Sequence, residues 1–516
     1  MLGNLHQVIV RPLTLIGLLC MAILLVFHET SSFYYCLTLA QLVFVPVVVE
    51  RISVLKRWQT CSILLGQIAV TTIFFIDASI VILLCVLLYL LSTIAVAWCG
   101  VHRFLQRGFT NTAEVMIDIG LVYIAMGGLW FLAFHLQIDT GFSPIITWLT
   151  AIHFHYSAFL LCVTVGLIGR LFMTRLYQFC CIVIAVGPML VALGITFSAI
   201  IEIIAVSLYV FAIFYICYFV VKNPLPRWQS VFIRIAFLTL SFTIIWSFLY
   251  AYSNVSGNHI VDIPNMLDFH GLLNCLGFGI SIVIAWSLQL PATNQQLYTF
   301  PVSQIRGKLR ATNEAHPGLV DELGDYINKT TIPTQISDFY EQTHRYALTA
   351  SVQWSTWFKP FAFVYQFISR RIGQLNLPFS NEPAKMDGVI FKVDPTLDGR
   401  DNPRVWQRTI AGKPVFNAIY AKHQHAGHTY MNIALPLPFS SMHGILSMTT
   451  RNNCLYLTSD ADGDAGTYLA VGQVIFMLPL HEYFMIREHE GKLLATHEMT
   501  IFGVKFLHID YGIQRK

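Results

Sequence analysis

Ten apolar runs punctuate the first 290 positions, near 12–28, 33–49, 58–75, 78–99, 115–134, 144–168, 178–197, 200–221, 230–250 and 269–290. Runs of ~17 to 25 apolar residues are long enough to cross the hydrocarbon core as helices. The stretch 58–99 is almost continuous and is divided at Asp77, because a single helix of that length would rise roughly twice the hydrocarbon thickness. The first two spans are short enough to be tilted or partly interfacial. From about residue 385 the pattern changes to period-2 alternation, rich in β-branched and aromatic residues, which predicts strands. They fall at 388–394, 404–410, 415–422, 428–435, 444–450, 454–459, 467–478, 481–488 and 493–513, the last divisible into two. Turn residues at Gly399 to Asn402, Asn452-Asn453, Asp460 to Gly466 and Glu490-Gly491 separate them.

The predicted architecture is an α-helical polytopic membrane bundle of about ten transmembrane helices over residues 1–290. A linker follows over 291–384, then a soluble β-rich domain over 385–516, built as a closed barrel or a curved antiparallel sheet. Pro291, Pro301, Pro317 and Pro333 interrupt the linker, which leaves room for a short helix near 318–328 and another capped by Ser337 or Asp338. Trp354, Trp357, Lys359, Phe361, Phe363, Tyr365, Phe367, Arg370 and Arg371 then mix aromatic and basic side chains. Such a segment suits an anionic membrane surface; the alternative is packing against the domain that follows.

Composition sharpens the division. The chain is 55% hydrophobic and only 12% charged, against roughly 25% charged in soluble globular proteins. Residues 1–290 hold 11 Lys+Arg and 9 Asp+Glu, whereas 291–516 hold 21 and 19. A net charge of +4 and apolar dominance exclude disorder and a nucleic-acid-binding tail. Ten of the eleven cysteines lie in the apolar part without a Cys-x-x-Cys pattern, where they act as small hydrophobes.

The cations set an expected sidedness. Arg11, Arg51, Lys56, Arg57, Arg103, Arg107, Arg170, Arg175, Lys222, Arg227 and Arg234 all fall at one side of the ten-span scheme, while the opposite loops carry Glu29, Asp77, Asp139 and Asp262. Short cytoplasmic loops concentrate Lys and Arg, so both termini are expected in the cytoplasm. Met1 to Leu5 and Arg11 precede span 1 without a small-residue cleavage site, the pattern of an uncleaved anchor.

Ionisable groups inside such spans cost roughly 2.5–3.5 kcal/mol each on insertion scales, so they need partners, a cavity or a function. Glu114 and Asp118 open span 5 four residues apart, on one helical face. They either stabilise the helix start and snorkel, or line a cytoplasmic vestibule. Gly120, Gly127 and Gly128 on the same span permit close helix approach. Span 6 carries Thr150-Ala-Ile-His153-Phe-His155-Tyr156-Ser157, with both histidines near mid-bilayer. At 100° per residue they point to opposite sides and cannot chelate one metal together. Span 10 begins Asp268-Phe-His270-Gly-Leu-Leu-Asn274, and Glu202 opens span 8. The expected picture is an outer cluster of His153, His155, His270, Asn274 and Glu202 with Tyr156 nearby, and an inner pair, Glu114 and Asp118. Three roles fit such groups: hydrogen bonds that hold helices together, a proton or solute path, or a haem or metal site.

Ala151-Ile-His-Phe-His-Tyr-Ser-Ala-Phe159, His270-Gly-Leu-Leu-Asn-Cys-Leu-Gly-Phe278, Glu114-Val-Met-Ile-Asp118 and Ile501-Phe-Gly-Val-Lys-Phe506 together resemble the YndJ-like family of bacterial membrane proteins. The likeness runs through most of the chain, and the two histidine runs are its most specific parts. It implies a multi-pass protein of the bacterial cytoplasmic (inner) membrane, of a kind sometimes labelled a transporter, without an assigned substrate. His153, His155, His270, Asn274 and Glu114 match the family-like positions with no role attached, and Cys275 stands where Ala is expected.

Two patterns in the β-rich part invite a metal reading. His423 and His425 share a strand face, with His428 and His443 nearby, but no carboxylate or Cys adjoins them in sequence, so an exposed hairpin is expected. Asp460-Ala-Asp-Gly-Asp464 begins like a calcium loop, yet Ala465 and Val471 occupy the Gly and Glu positions. No Walker A, Gly-x-Ser-x-Gly or His-Glu-x-x-His sequence occurs, which excludes an ATP-driven motor on this chain. The sequence therefore points to a carrier or sensor of a small solute, in contact with the lipid bilayer and not with nucleic acid. A membrane haem or metal enzyme and an envelope scaffold or lipid-binding protein are the alternatives. No cofactor is specified.

Overall fold

The computed structural model describes residues 8–28, 32–109, 111–258, 260–293, 298, 300–307, 314–472 and 474–516. Met1 to Leu5 and Glu29, which entered the reading of sidedness, lie outside the described residues. The chain forms two compact units, residues 1–104 with 111–295, and residues 105–110 with 296–516.

The first unit is built of helices α1 (Pro12–Phe27), α2 (Phe33–Ile52), α3 (Arg57–Ile73), α4 (Ser79–Arg107), α5 (Thr112–His135), α6 (Pro144–Gly169), α7 (Arg175–Phe197), α8 (Ala199–Lys222), α9 (Arg227–Ser256) and α10 (Ile263–Leu288). Eight of them are long and apolar enough to cross a membrane; α1 is a shorter apolar helix and α3 spans 17 residues. The break at Asp77 separates α3 from α4. Several starts are local: Asn111 accepts from the Ala113 N–H and Thr174 from the Tyr177 N–H, as N-caps do. Apolar side chains remain exposed around the outside, among them Leu84, Leu91, Ile182 and Leu238, the surface of a bundle whose solvent is lipid.

Among the described residues, three helices contain π-helical turns. They are Ala40–Phe44 in α2, Phe154–Leu160 in α6, and Met266–Leu272 with Asn274–Ile280 in α10. Such turns are rare and are frequent at functional sites; here they coincide with both histidine runs.

The second unit contains twelve strands: β1 (Tyr346–Trp354), β2 (Ala384–Lys392), β3 (Arg404–Ile410), β4 (Lys413–His425), β5 (His428–Leu437), β6 (Ser440–Arg451), β7 (Cys454–Thr458), β8 (Gly466–Val471), β9 (Val474–Met477), β10 (Leu480–His489), β11 (Lys492–Ile501) and β12 (Val504–Arg515). Ten of them run β5-β4-β3-β2-β1-β12-β11-β10-β7-β6, and β6 pairs back to β5, so the sheet closes into an antiparallel barrel with β8 and β9 attached to β6. Two-residue turns at Ala411-Gly412, Ala426-Gly427, Asn452-Asn453, Glu490-Gly491 and Phe502-Gly503 have positive φ at both positions, the hairpin geometry that matches strand twist. The run 467–478 is two strands because Gly472 turns it. Strand β1 lies within the stretch read from sequence as a linker, where its alternation is short and borders an aromatic-basic run. That run forms α12 (Lys359–Ile372), preceded by α11 (Thr334–Glu341).

Candidate functional site

The histidines of α6 are turned apart by the local winding. His155 is buried; its Nδ1 donates to the Ala151 carbonyl at 2.7 Å, so its Nε2 accepts from the Tyr89 hydroxyl of α4 at 2.5 Å. Gly127 of α5 makes this approach possible, since a Cβ there would lie 2.7 Å from His155 Cε1. His153 faces α10 instead. Its Nδ1 donates to the Leu149 carbonyl at 2.7 Å, and its ring stacks against His270 with centroids 6.5 Å apart.

His270 is fixed from α9. Its Nδ1 donates to the Thr243 carbonyl at 2.9 Å and lies 3.3 Å from the Ser247 hydroxyl. The Thr243 hydroxyl donates to Asn274 Oδ1 at 2.6 Å, and Asn274 Nδ2 comes within 3.5 Å of His270 Nε2. His153, His270 and Asn274 therefore come together where α6, α9 and α10 adjoin, with His153 exposed and Asn274 buried. The anchored Nδ1–H groups fix the tautomer, which leaves the Nε2 lone pairs as acceptors. The Nε2 of His153 has no hydrogen-bond partner among the described residues.

Other candidates lie elsewhere. The Tyr156 hydroxyl donates to the Cys36 carbonyl of α2 at 2.8 Å. Glu202 pairs with Asn254 Nδ2 of α9, at 3.1 and 3.3 Å, away from the histidines. Glu114 and Asp118 are held by two arginines. Arg170 places Nε 2.7 Å from Glu114 Oε1, while Arg103 reaches Glu114 Oε2 at 2.9 Å and Asp118 Oδ1 at 2.7 Å. Arg103 also donates to the Ile52 carbonyl and Arg170 to the Pro291 carbonyl. One network thus ties the ends of α2, α4 and α6 and the chain after α10 to the start of α5.

In the barrel unit, Asp464 comes between His423 and His425, with Nε2–Oδ2 3.1 Å and Nδ1–Oδ1 2.9 Å. His423 is buried, not exposed as expected, because the loop carrying Asp464 packs over it. His443 is buried beside Asn432 and Ser441, and burial with nearby Arg400 and Arg306 holds its imidazole well below the usual range. Among the described residues no three or more His, Cys, Asp or Glu side chains are placed to hold a metal ion.

The residues not singled out from sequence are Tyr89, Thr243, Ser247, Arg103 and Arg170. Thr243 and Ser247 sit four apart on one face, a signal that was present but weak; the arginines registered only as loop charges.

A family model described as YndJ-like protein matches residues 35–278, which contain both histidine runs. The chain is also 37% identical over 455 residues, 83% of each sequence, to the uncharacterized membrane protein YndJ of Bacillus subtilis (strain 168). The chain belongs to the YndJ-like family. It is a multi-pass membrane protein with a bacterial relative. No solved structure matches it. The Bacillus subtilis relative extends the likeness of this YndJ-like chain well beyond residues 35–278.

Proposed function

We propose that the helical unit moves or senses a small polar solute where α6, α9 and α10 adjoin. One observation carries this reading: two imidazoles, His153 and His270, face one another with their Nδ1 atoms tied to backbone carbonyls, the Nε2 of His270 beside the Asn274 amide and the Nε2 of His153 without a hydrogen-bond partner among the described residues. Paired acceptors in an apolar setting favour a solute that donates hydrogen bonds or carries positive charge. Asn274 adds an orienting amide, and His155, locked to Tyr89, supports the π-helical winding that aims His153 outward. The buried Glu114–Asp118–Arg103–Arg170 network fixes the far end of α6, the helix that carries His153.

The same reading places the protein in the bacterial inner membrane with both termini cytoplasmic, following the positive-inside distribution. It also places α12 on the lipid surface, since Phe361, Phe363, Val364, Phe367 and Ile368 are exposed beside Arg370 and Arg371.

The test is a thermal-stability screen of the full chain in lipid nanodiscs against small amines, amino acids and sugars. At least one donor-rich solute is expected to stabilise the wild type but not His153→Ala or His270→Ala, while Glu202→Gln responds normally. Equal stabilisation of both histidine variants would refute the assignment.

A further inference from the structure

Inward-facing positions of the ten-stranded ring enclose a cavity of about 120 Å³. Its wall is mostly apolar, with Leu348, Ile486 and Ile513 toward the end where α11 contributes Phe339 and Tyr340. Leu375 and Leu377, just after α12, line it as well. Three basic or acidic side chains line this apolar space: Arg408 from β3, Glu482 from β10 and His497 from β11.

Their environments differ in a way that matters. His497 stacks on Phe484 with centroids 3.7 Å apart, and its Nε2 lies 3.2 Å from Glu482 Oε2. The carboxylate thus has an imidazole within ion-pair distance. Arg408 has no such counterpart. Its guanidinium lies over the rings of Trp406 and Phe416, at 4.5 and 4.3 Å from their centroids, and its Nε is buried without a hydrogen-bond partner. It makes no ion pair among the described residues, and the Tyr511 hydroxyl is its polar neighbour. Arg408 is half-buried, and a guanidinium partly withdrawn from water is costly unless an anion meets it. Stacking on aromatic faces leaves its planar edge available for bidentate pairing with a carboxylate. Tyr511 lies close enough to feel both Arg408 and Glu482; burial pushes its phenol up to about 12, so it remains a neutral donor.

We propose that the barrel lumen binds one amphipathic monoanion, an acyl-chain carboxylate, with its carboxylate on Arg408 and Tyr511 and its chain along the apolar wall toward α11. One unpaired cation matches a single negative charge, and the cavity is too small for a two-chain phospholipid. This site is independent of the histidine site among the membrane helices.

The experiment is binding of radiolabelled laurate to the full chain in zwitterionic nanodiscs, corrected with empty nanodiscs. Saturable binding at one site per chain is expected, with dodecanol and dodecyltrimethylammonium competing poorly. Arg408→Gln should weaken laurate at least ~10-fold, and His153→Ala should leave it unchanged, which separates this site from the histidine site. Absence of saturable binding, competition by dodecanol or dodecyltrimethylammonium equal to that of laurate, or wild-type affinity in folded Arg408→Gln would overturn the proposal. The headgroup comparison uses wild-type protein alone, so it decides the matter even where the variant fails to fold.

Discussion

Glu114 accepts from two guanidinium groups while almost fully buried. Replacing it with Gln keeps the shape and removes the charge, which leaves Arg103 and Arg170 facing each other without their shared counter-ion. Breaking a buried pair in this way costs about 3–5 kcal/mol, so Glu114→Gln should lower the unfolding temperature in nanodiscs. Asp118→Asn, which weakens the contact to Arg103 but leaves Glu114 between the two arginines, should lower it less. An Asp118 variant as damaged as the Glu114 variant would contradict this ranking. The shared helical face of Glu114 and Asp118 was readable from their spacing, but their partners were not. Arg103 and Arg170 approach from the ends of other helices, a relation that spacing along one helix does not contain. The same holds for Asp464, which reaches His423 and His425 from a loop some forty positions on.

At the scale of elements, each apolar run overlaps one of the ten helices, although α4 and α9 run on past the predicted ends at 99 and 250 to Arg107 and Ser256 and α10 starts at Ile263, before the predicted 269; alternation located most strands. The π-helical turns were invisible, because a locally wider helix leaves the apolar run uninterrupted and changes only which neighbour each side chain meets. Strand β1 was hidden for a different reason: it buries alternate residues as a strand should, but it stands beside the aromatic-basic run that dominates its surroundings. That run as α12 buries only Ala362 and Ser369. If its apolar face rests on lipid, a benzoylphenylalanine replacing Phe363 or Phe367 should crosslink to acyl chains on illumination. The same probe at exposed Lys385 of β2 should not, and equal yields at all three positions would argue against a surface-bound helix.

For the whole molecule, the charge distribution forecasts a definite topology. Alkaline phosphatase fused after Asp77 or Asp139 should be active, and a fluorescent protein fused after Lys516 should fluoresce in the cytoplasm; the opposite pattern would invert the assignment. The division into a lipid-facing helical unit and a β-rich unit was legible from charge density alone. For the second unit a closed barrel and a curved sheet were both expected, and the strand pairing that makes it a barrel was not legible, since alternation gives strands without saying which are neighbours. That closure has a kinetic consequence. Tyr346 pairs with Arg515, so the first and last strands of the barrel must find each other across nearly the whole length of the unit. Contacts so distant in sequence form slowly, after the loop-closure entropy has been met. Until they do, β1 and β12 present unpaired edges that invite strand exchange with other chains. A barrel that folds late and locks all at once makes its lumen available only to chains that have completed the ring, and gives crowded expression or heat a specific route to aggregation through those two strands.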